Sequence, residues 1–279
     1  MNEIAYRYAT VDTFEKMLAS QELWFSDLRN MNDWDEYAAG FRIANELITN
    51  EFPQFASILG EISPERMSDQ FMILICSFSN HGDCLSMWRG YGDNGKGAAI
   101  GYNTHEIENH HLFTRFLQKM DPVNGKVKFK SVIYSEENYK EIIRHNVRRV
   151  FSVSSDVPPE ELPLILGFRR KMLESVLVRL CTLYKNDFFE DEREIRGFIE
   201  INEYNDPYEV SKRSSDFGDS AFHKIRSDFQ SNPSIKEVVL GPGYEKTDEY
   251  VQHLLAEHGL PDVKIKRSLG TYRLSANSN

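Results

Sequence analysis

Glu192 and Glu194, one residue apart, are the sharpest chemical feature of the chain. They belong to Lys185-Asn-Asp-Phe-Phe-Glu-Asp-Glu-Arg-Glu-Ile-Arg196, which runs into an apolar strand from Gly197 to Ile201. In extended geometry Glu192, Glu194 and Arg196 share one face. Two carboxylates so placed repel if both are buried, so burial demands a raised pKa or a cation between them. The commoner use of this spacing is an acidic, solvent-facing start to a strand. A glutamate of that kind contributes little packing.

A second chemical stretch spans Ile75 to Tyr102. The apolar run Phe71 to Ile75 has the composition of a buried strand and delivers Ser77 and Ser79 on either side of Phe78. Period-two geometry puts both hydroxyls on one face and the ring on the other. Trp88, Arg89 and Tyr91 follow, then a glycine-rich connection and a strand at Ala98 to Tyr102. Polar side chains at a strand end beside such a connection often build a small-molecule site, and a core Trp beside a tight turn is the plain alternative. Gly90-Tyr-Gly-Asp-Asn-Gly95 matches the G-x-G-x-x-G dinucleotide fingerprint in letters alone. That fingerprint needs a strand before it and a helix after it, whereas here Leu85 to Arg89 reads as a helical turn and a strand follows.

The elements that must carry these groups follow in order. Ile4 to Tyr8 reads as a strand with Arg7 opposite Tyr6 and Tyr8, either a solvated edge cation or an inward anion binder. Thr10 to Ser20 is an amphipathic helix that Asp12 or Thr13 can cap, and Leu23 to Ser26 is a short strand. An Asn-Asp turn at Met31 to Asp33 leads into a helix through Leu47, and a Pro-punctuated helical connection covers 50–69. Val127 to Tyr134 alternates as a strand. Helices at Glu136 to Phe151 and Leu162 to Leu183 look like an insertion with its own apolar seam. Residues 205–232 read as polar and loop-rich. A β-α-β unit closes the chain, from Ile235 to Leu240, through a helix ending at His258, to Val263 to Arg267. The expected organisation is one domain over 1–274, with an insertion over about 136–184 and a frayed tail at 275–279.

Composition narrows the function classes. The chain has 279 residues with 18 Phe, 13 Tyr and 3 Trp, enough for a full core, and carries a net charge of −10. That sign disfavours a general grip on nucleic-acid backbone while leaving room for a local basic cleft. Cys76, Cys84 and Cys181 are an odd number without disulfide-framework spacing, which favours a reducing compartment. No apolar run reaches membrane-spanning length, and Met1 to Tyr8 is neither signal nor anchor, so the expectation is a cytoplasmic protein without a membrane partner. His105, His110 and His111 lack paired helical spacing with a carboxylate, and Cys76, His81 and Cys84 match no common zinc site; no metal is assigned.

In chain order, Arg7, Ser77-Phe78-Ser79 and Glu192-Arg193-Glu194 resemble the Arg/Ser-Thr-Ser/Glu-x-Glu signature of the arginine-type mono-ADP-ribosyltransferases. The chain is also similar to an uncharacterised bacterial family known only as a domain of unknown function. That likeness is carried by Tyr6-Arg7-Tyr8, Leu23 to Ser26, Met31 to Asp33, Cys76 to Ser79, Trp88 with Tyr91, Gly97 to Tyr102, Glu192 to Arg196 and Leu240-Gly-Pro242. The transferase resemblance implies an α+β, ADP-ribosyltransferase-like fold: a split central sheet, flanking helices and a helical insertion. It implies an NAD-dependent transferase passing ADP-ribose to an unknown acceptor (protein, nucleic acid or small molecule), chemistry that toxins and defence effectors of that group use. Glu194 would stabilise the ribosyl cation, with Glu192 nearer the acceptor. Arg7 would hold the diphosphate, Ser77 and Ser79 would brace the site, and Trp88 or Tyr91 would stack on nicotinamide. The signature differs in having Phe78 at its centre and long spacings between its parts. The rival expectations are a non-catalytic nucleotide- or protein-binding module, and a nuclease holding a divalent metal on Asp33, Glu36 and Glu192.

Overall fold

β3 (Phe71–Ser79) is the strand on which the architecture turns, because its two edges are used differently. One edge pairs antiparallel with β6 (Glu194–Asn202) along all nine residues, from Phe71↔Asn202 to Ser79↔Glu194. The other edge is shared. β1 (Ile4–Ala9) meets it at Tyr6↔Ser79, and β2 (Glu22–Asp27) meets it at Ser26↔Ile75 and Asp27↔Leu74. Between those contacts β1 and β2 diverge, and the sheet forks beside Cys76, Ser77 and Phe78.

The computed structural model describes residues 4–28, 34–60, 63, 71–109, 127–152, 161–202, 210–215, 218–227 and 233–270. These form a mixed α+β fold around a ten-stranded, mostly antiparallel sheet ordered β10-β9-β4-β1-β3-β2-β8-β7, with β6 and then β5 (Lys128–Ser131) branching from β3. β4 is Ala98–Asn103, β7 Ser211–Ser215, β8 Gly218–Arg226, β9 Ile235–Leu240 and β10 Lys264–Arg267. The one parallel pair, β9 with β10, is joined by α7 (Asp248–Glu257), as the closing β-α-β reading requires.

Three helix starts illustrate local control. α1 (Val11–Ser20) is capped by Thr10, whose hydroxyl accepts the Thr13 N–H at 3.3 Å. The cap is Thr10 rather than Asp12 or Thr13, because the strand ends at Ala9 and Thr10 is the last extended residue. Ser135 caps α5 (Glu136–Phe151) and Thr247 caps α7 in the same way. Further helices are α2 (Trp34–Glu51), α3 (Pro53–Leu59), α4 (Leu85–Gly90) and α6 (Leu162–Cys181). Among the described residues no helix is long and apolar enough to cross a membrane.

The sheet is covered on both faces. Phe14 and Leu18 of α1 and Val251 and Leu255 of α7 join Phe25, Leu74, Phe78, Ile100 and Ile199 in one core. On the opposite face Ile73, Ile75 and Phe198 pack with Tyr139, Ile143 and Val147 of α5, Leu173 and Leu177 of α6, and Phe41 and Leu47 of α2. So α5 and α6 are not a self-contained insertion: their seam is completed by α2 and by the sheet. The reading of 205–232 as loop-rich is also corrected, since 211–226 holds the β7–β8 hairpin. Its serines and charges hide the alternation, because an edge strand needs only one apolar face.

At the far end of β4 the backbones of three strand ends crowd together. A Cβ added to Gly97 would lie 2.0 Å from the Ala9 carbonyl oxygen, whereas one added to Gly90 would meet nothing within 4 Å. Gly97→Ala is therefore expected to cost about 3 kcal/mol or more through forced backbone displacement. Gly90→Ala, in an exposed last helical position, should be neutral or stabilise by up to about 1 kcal/mol. Thermal melts of both variants against the parent check the contrast.

Candidate functional site

A cavity of about 370 Å³ opens at the fork of the sheet. β1 supplies Tyr6, Arg7 and Tyr8; β2 supplies Trp24 and Ser26; β3 supplies Ile75, Cys76, Ser77 and Phe78. Met87 and Tyr91 close one side. Lys185, Phe189, Glu192, Glu194 and Arg196 close another, and Arg213 reaches in from β7. Its size falls in the usual range of small-molecule sites. Four cations face two carboxylates there, so the cavity carries local positive charge in a chain whose net charge is −10. Five aromatic side chains other than Phe78 (Tyr6, Tyr8, Trp24, Tyr91 and Phe189) share the lining. Such a lining suits an anion that also bears a flat ring.

The cation demanded by the paired carboxylates is Lys185. Its Nζ lies 2.7 Å from Glu192 Oε2 and 3.2 Å from Glu194 Oε2. Burial opposes the ammonium charge, but Glu194 and Glu192 more than offset it and raise its pKa. The two glutamates reach it by a route other than the expected one. Asp187–Glu192 forms a 3-10 turn, Arg193 takes a left-handed conformation (φ 45°, ψ 51°), and the strand begins only at Glu194. Glu192 therefore stands in the turn and Glu194 in the strand, and with the left-handed residue between them both carboxylates still meet at the Lys185 ammonium. Ser79 supports that turn from below. Fully buried, its hydroxyl donates to the Glu192 carbonyl at 2.8 Å and accepts the His81 N–H at 3.2 Å.

Glu194 and Glu192 differ in what remains free on them. Glu194 accepts from Lys185, from Arg196 Nε at 2.8 Å and Nη2 at 3.1 Å, and from the Ser77 hydroxyl. A carboxylate has about four acceptor positions, and all four are taken. Burial pushes this carboxyl up, with Lys185 and Ser77 pulling the other way. Burial likewise lowers the Arg196 guanidinium to about 10, and Arg196 Nη1 also donates to the Thr182 carbonyl at 2.5 Å. Glu192 accepts from Lys185 and, at 3.2 Å, from the Tyr91 hydroxyl, and its side chain is 18% exposed against 5% for Glu194. Glu192 is thus the carboxylate with room for a ligand. Glu194 is buried and fully hydrogen-bonded, not the lightly packed strand-start residue expected.

The other expected residues fall into two groups. Arg7, Ser77 and Tyr91 reach the cavity. Arg7 Nη1 donates to Cys76 Sγ at 2.6 Å and to the Ser77 carbonyl at 3.3 Å, and its guanidinium lies over Phe78, 5.6 Å from the ring centre. Burial pushes the Cys76 thiol up, with Arg7 opposing. Trp88 does not reach the cavity. It is 2% exposed, donates Nε1–H to Asp83 Oδ1 at 2.7 Å, and packs edge-on against Tyr8 with centroids 4.6 Å apart. Its neighbours Met87, Tyr8, Ala99 and Val239 make a small core that buries the indole. Ser79, buried, is likewise absent from the lining.

Lys185, Arg196, Trp24, Phe189 and Arg213 line the cavity without a role directly legible in the sequence. For Lys185 the signal was present: paired buried carboxylates require a cation, and it stands a few residues away. Arg213 lies in the β7–β8 hairpin, whose sequence reads as loop. Among the described residues no three His, Cys, Asp or Glu side chains cluster as a metal site. Asp33, the Met31–Asp33 turn, His110 and His111 lie outside the described residues, as does the side chain of Glu36.

Residues 87–197 match a family described as "Protein of unknown function (DUF2971)". The match takes in Tyr91, Lys185, both glutamates and Arg196, and leaves Arg7, Ser77, Trp24 and Arg213 outside it. No curated protein and no solved structure matches the chain.

Lys185→Met removes the ammonium between the two carboxylates and is expected to destabilise the fold by about 3–5 kcal/mol, as for a broken buried pair. Glu192→Gln in the same chain should return part of that loss. Because the folded-state pKa of Lys185 is raised above 10.5, its contribution is complete below that pH and fades as pH climbs through the folded value. Urea titrations of parent and Lys185→Met should therefore converge at strongly alkaline pH.

Proposed function

We propose that the cavity binds NAD and that the protein transfers ADP-ribose from it to an acceptor, on an ADP-ribosyltransferase-like sheet. The observation that carries this reading is convergence. Arg7, Ser77 and the Glu192/Glu194 pair, far apart in sequence, line one cavity with surplus positive charge and aromatic walls. Among the described residues Arg7 uses Nη1 for its two protein bonds, which leaves the rest of the guanidinium fork for a diphosphate. Tyr91, 49% exposed at the rim, offers a ring for the nicotinamide.

The roles of the two glutamates follow their surroundings. The bond from ribose C1′ to the nicotinamide nitrogen breaks, and its electron pair leaves with nicotinamide. Glu192 stabilises the oxocarbenium charge left on the ribose. A lone pair on an acceptor oxygen or nitrogen then closes on C1′, and the acceptor proton passes to Glu192 or to water. Glu194 is a positioning residue: with Arg196 and Ser77 it fixes Lys185, and Lys185 fixes Glu192. This exchanges the roles implied by the resemblance, for the reason that Glu194 has no acceptor position left for a ribose hydroxyl.

The same saturation favours a second reading, a nucleotide-binding module without turnover. Nicotinamide release from NAD, measured by chromatography with and without a cell lysate as acceptor source, separates the two. Under the transferase reading the parent releases nicotinamide without added metal. Glu192→Gln lowers that rate on the order of 10²–10³-fold, as for one electrostatic contact made in the transition state, and leaves NAD affinity within a few-fold. Glu194→Gln lowers stability as well as rate. NAD binding by calorimetry with no nicotinamide released by the parent establishes the binding module instead.

A further inference from the structure

The cavity does not end at Trp24. β2 pairs with β8 through Glu22↔Arg226, Trp24↔Lys224 and Ser26↔Phe222, and β8 pairs with β7 through Ser220↔Arg213. Alternation along strands puts Trp24, Phe222, Lys224, Arg226 and Arg213 on the face where the cavity opens. There Trp24 is 39% exposed and stacks on Phe222 with centroids 4.9 Å apart and planes 10° apart. The Lys224 ammonium and the Arg213 guanidinium lie 4.6 Å and 5.9 Å from the indole centre. Arg213 also donates to Ser26 Oγ at 3.3 Å, which ties this surface to the cavity wall. Lys224 and Arg226 are exposed; Glu22, the only carboxylate among the described side chains on that face of the three strands, pairs with Lys224 at 3.1 Å and accepts the Trp24 indole N–H at 3.1 Å, so the cations outnumber it three to one. The result is a cationic shelf with a central aromatic platform, on a protein of opposite overall sign.

We infer that this shelf binds single-stranded nucleic acid and presents it to the cavity as the acceptor. A stacking platform flanked by flexible cations tracks a strand of alternating rings and phosphates; an acidic peptide offers the charges but not the regular rings. Lys224 sits on a long stem, and its half-exposed pair with Glu22 is weak enough for it to pass from the indole and Glu22 to a phosphate as a base arrives. Edge-strand charge also serves to prevent sheet pairing, and that function asks for no aromatic platform and no sidedness. Sidedness is therefore the discriminating property: Lys212, opposite Ala221, points to the other face. As an acceptor assignment the inference rests on the transferase reading, whereas the binding itself does not.

Fluorescence anisotropy with short fluorescein-labelled single-stranded DNA and RNA, in the absence of NAD, tests it. Binding to at least one strand type is expected, with log affinity falling against log salt at a slope near −2, from about 0.7 per phosphate for three cations. Lys224→Ala and Arg226→Ala, at exposed positions, should each weaken binding and flatten the slope by roughly 0.7. Trp24→Ala should weaken binding by about tenfold. Lys212→Ala should leave it unchanged. No binding to either strand overturns the inference, as does equal loss in Lys212→Ala, or preference for a polyglutamate peptide over both strands. Nicotinamide release assayed on the same preparations keeps the two proposals apart. Release without strand binding removes the shelf and keeps the transferase; strand binding without release does the reverse.

Discussion

A buried ammonium held between two carboxylates is the interaction on which this structure depends. Lys185 follows the last turn of α6, Glu192 ends the 3-10 turn, and Glu194 opens β6, so three elements meet at one charge. Removing these ions from water costs several kcal/mol per ion, and only complete pairing offsets it. Pairing is complete at Glu194, which also holds Arg196 in a bidentate grip. Arg196 in turn reaches the Thr182 carbonyl, and backbone bonds of Leu183 and Lys185 to Ile133 carry the cluster on to the segment after β5. The helical layer is thereby joined to the sheet at the rim of the cavity by charge as well as by apolar contact.

The cavity exists because β1 and β2 share one edge of β3 and separate between their contacts. A closed ladder there would bury Ser77 between paired strands; the fork exposes it to the ligand space and admits the Arg7 guanidinium from β1. Apolar cores on both faces keep the fork from collapsing. On one face Phe78 packs with Tyr102 and Phe129, and on the other Ile75 packs under α2, α5 and α6. The site thus stands on rigid strands, with the turn from Asp187 to Glu192 and the loop at Tyr91 forming its rim.

Trp88 shows how a residue beside a site can serve it without touching it. Its indole is edge-on to Tyr8, whose hydroxyl donates to the His81 carbonyl and accepts from the Cys84 N–H. Asp83, which accepts the indole N–H, also accepts from the Ser268 hydroxyl and the Leu269 N–H after β10. The hydrogen bonds from Ser268, Trp88 and Leu269 outweigh burial and keep the Asp83 carboxyl below the usual range. The small core around Trp88 therefore fixes the Tyr8 wall and ties the chain beyond β10 to the same point.

What the sequence determined by itself is local. Periodicity placed β1, α4, β4, α5, the closing β-α-β and most of β3 within a residue or two, because helix and strand patterns arise from neighbours along the chain. It also required that a cation accompany Glu192 and Glu194 if they were buried, since repulsion between close carboxylates needs no fold to be known. The tertiary structure decided which cation it is, and that Arg193 turns left-handed so that both side chains meet Lys185. It decided that Glu194 is saturated while Glu192 faces the ligand space, and that Trp88 turns inward. It also brought Arg213 to the cavity through a hairpin whose polar, edge-strand sequence reads as loop, and Trp24 through the pairing of β2 with β3. Each of these depends on which strand lies beside which, and the partners of β3 stand far from it along the chain. Pairing over such separations is set by the summed burial of the whole sheet, which no short window of sequence contains.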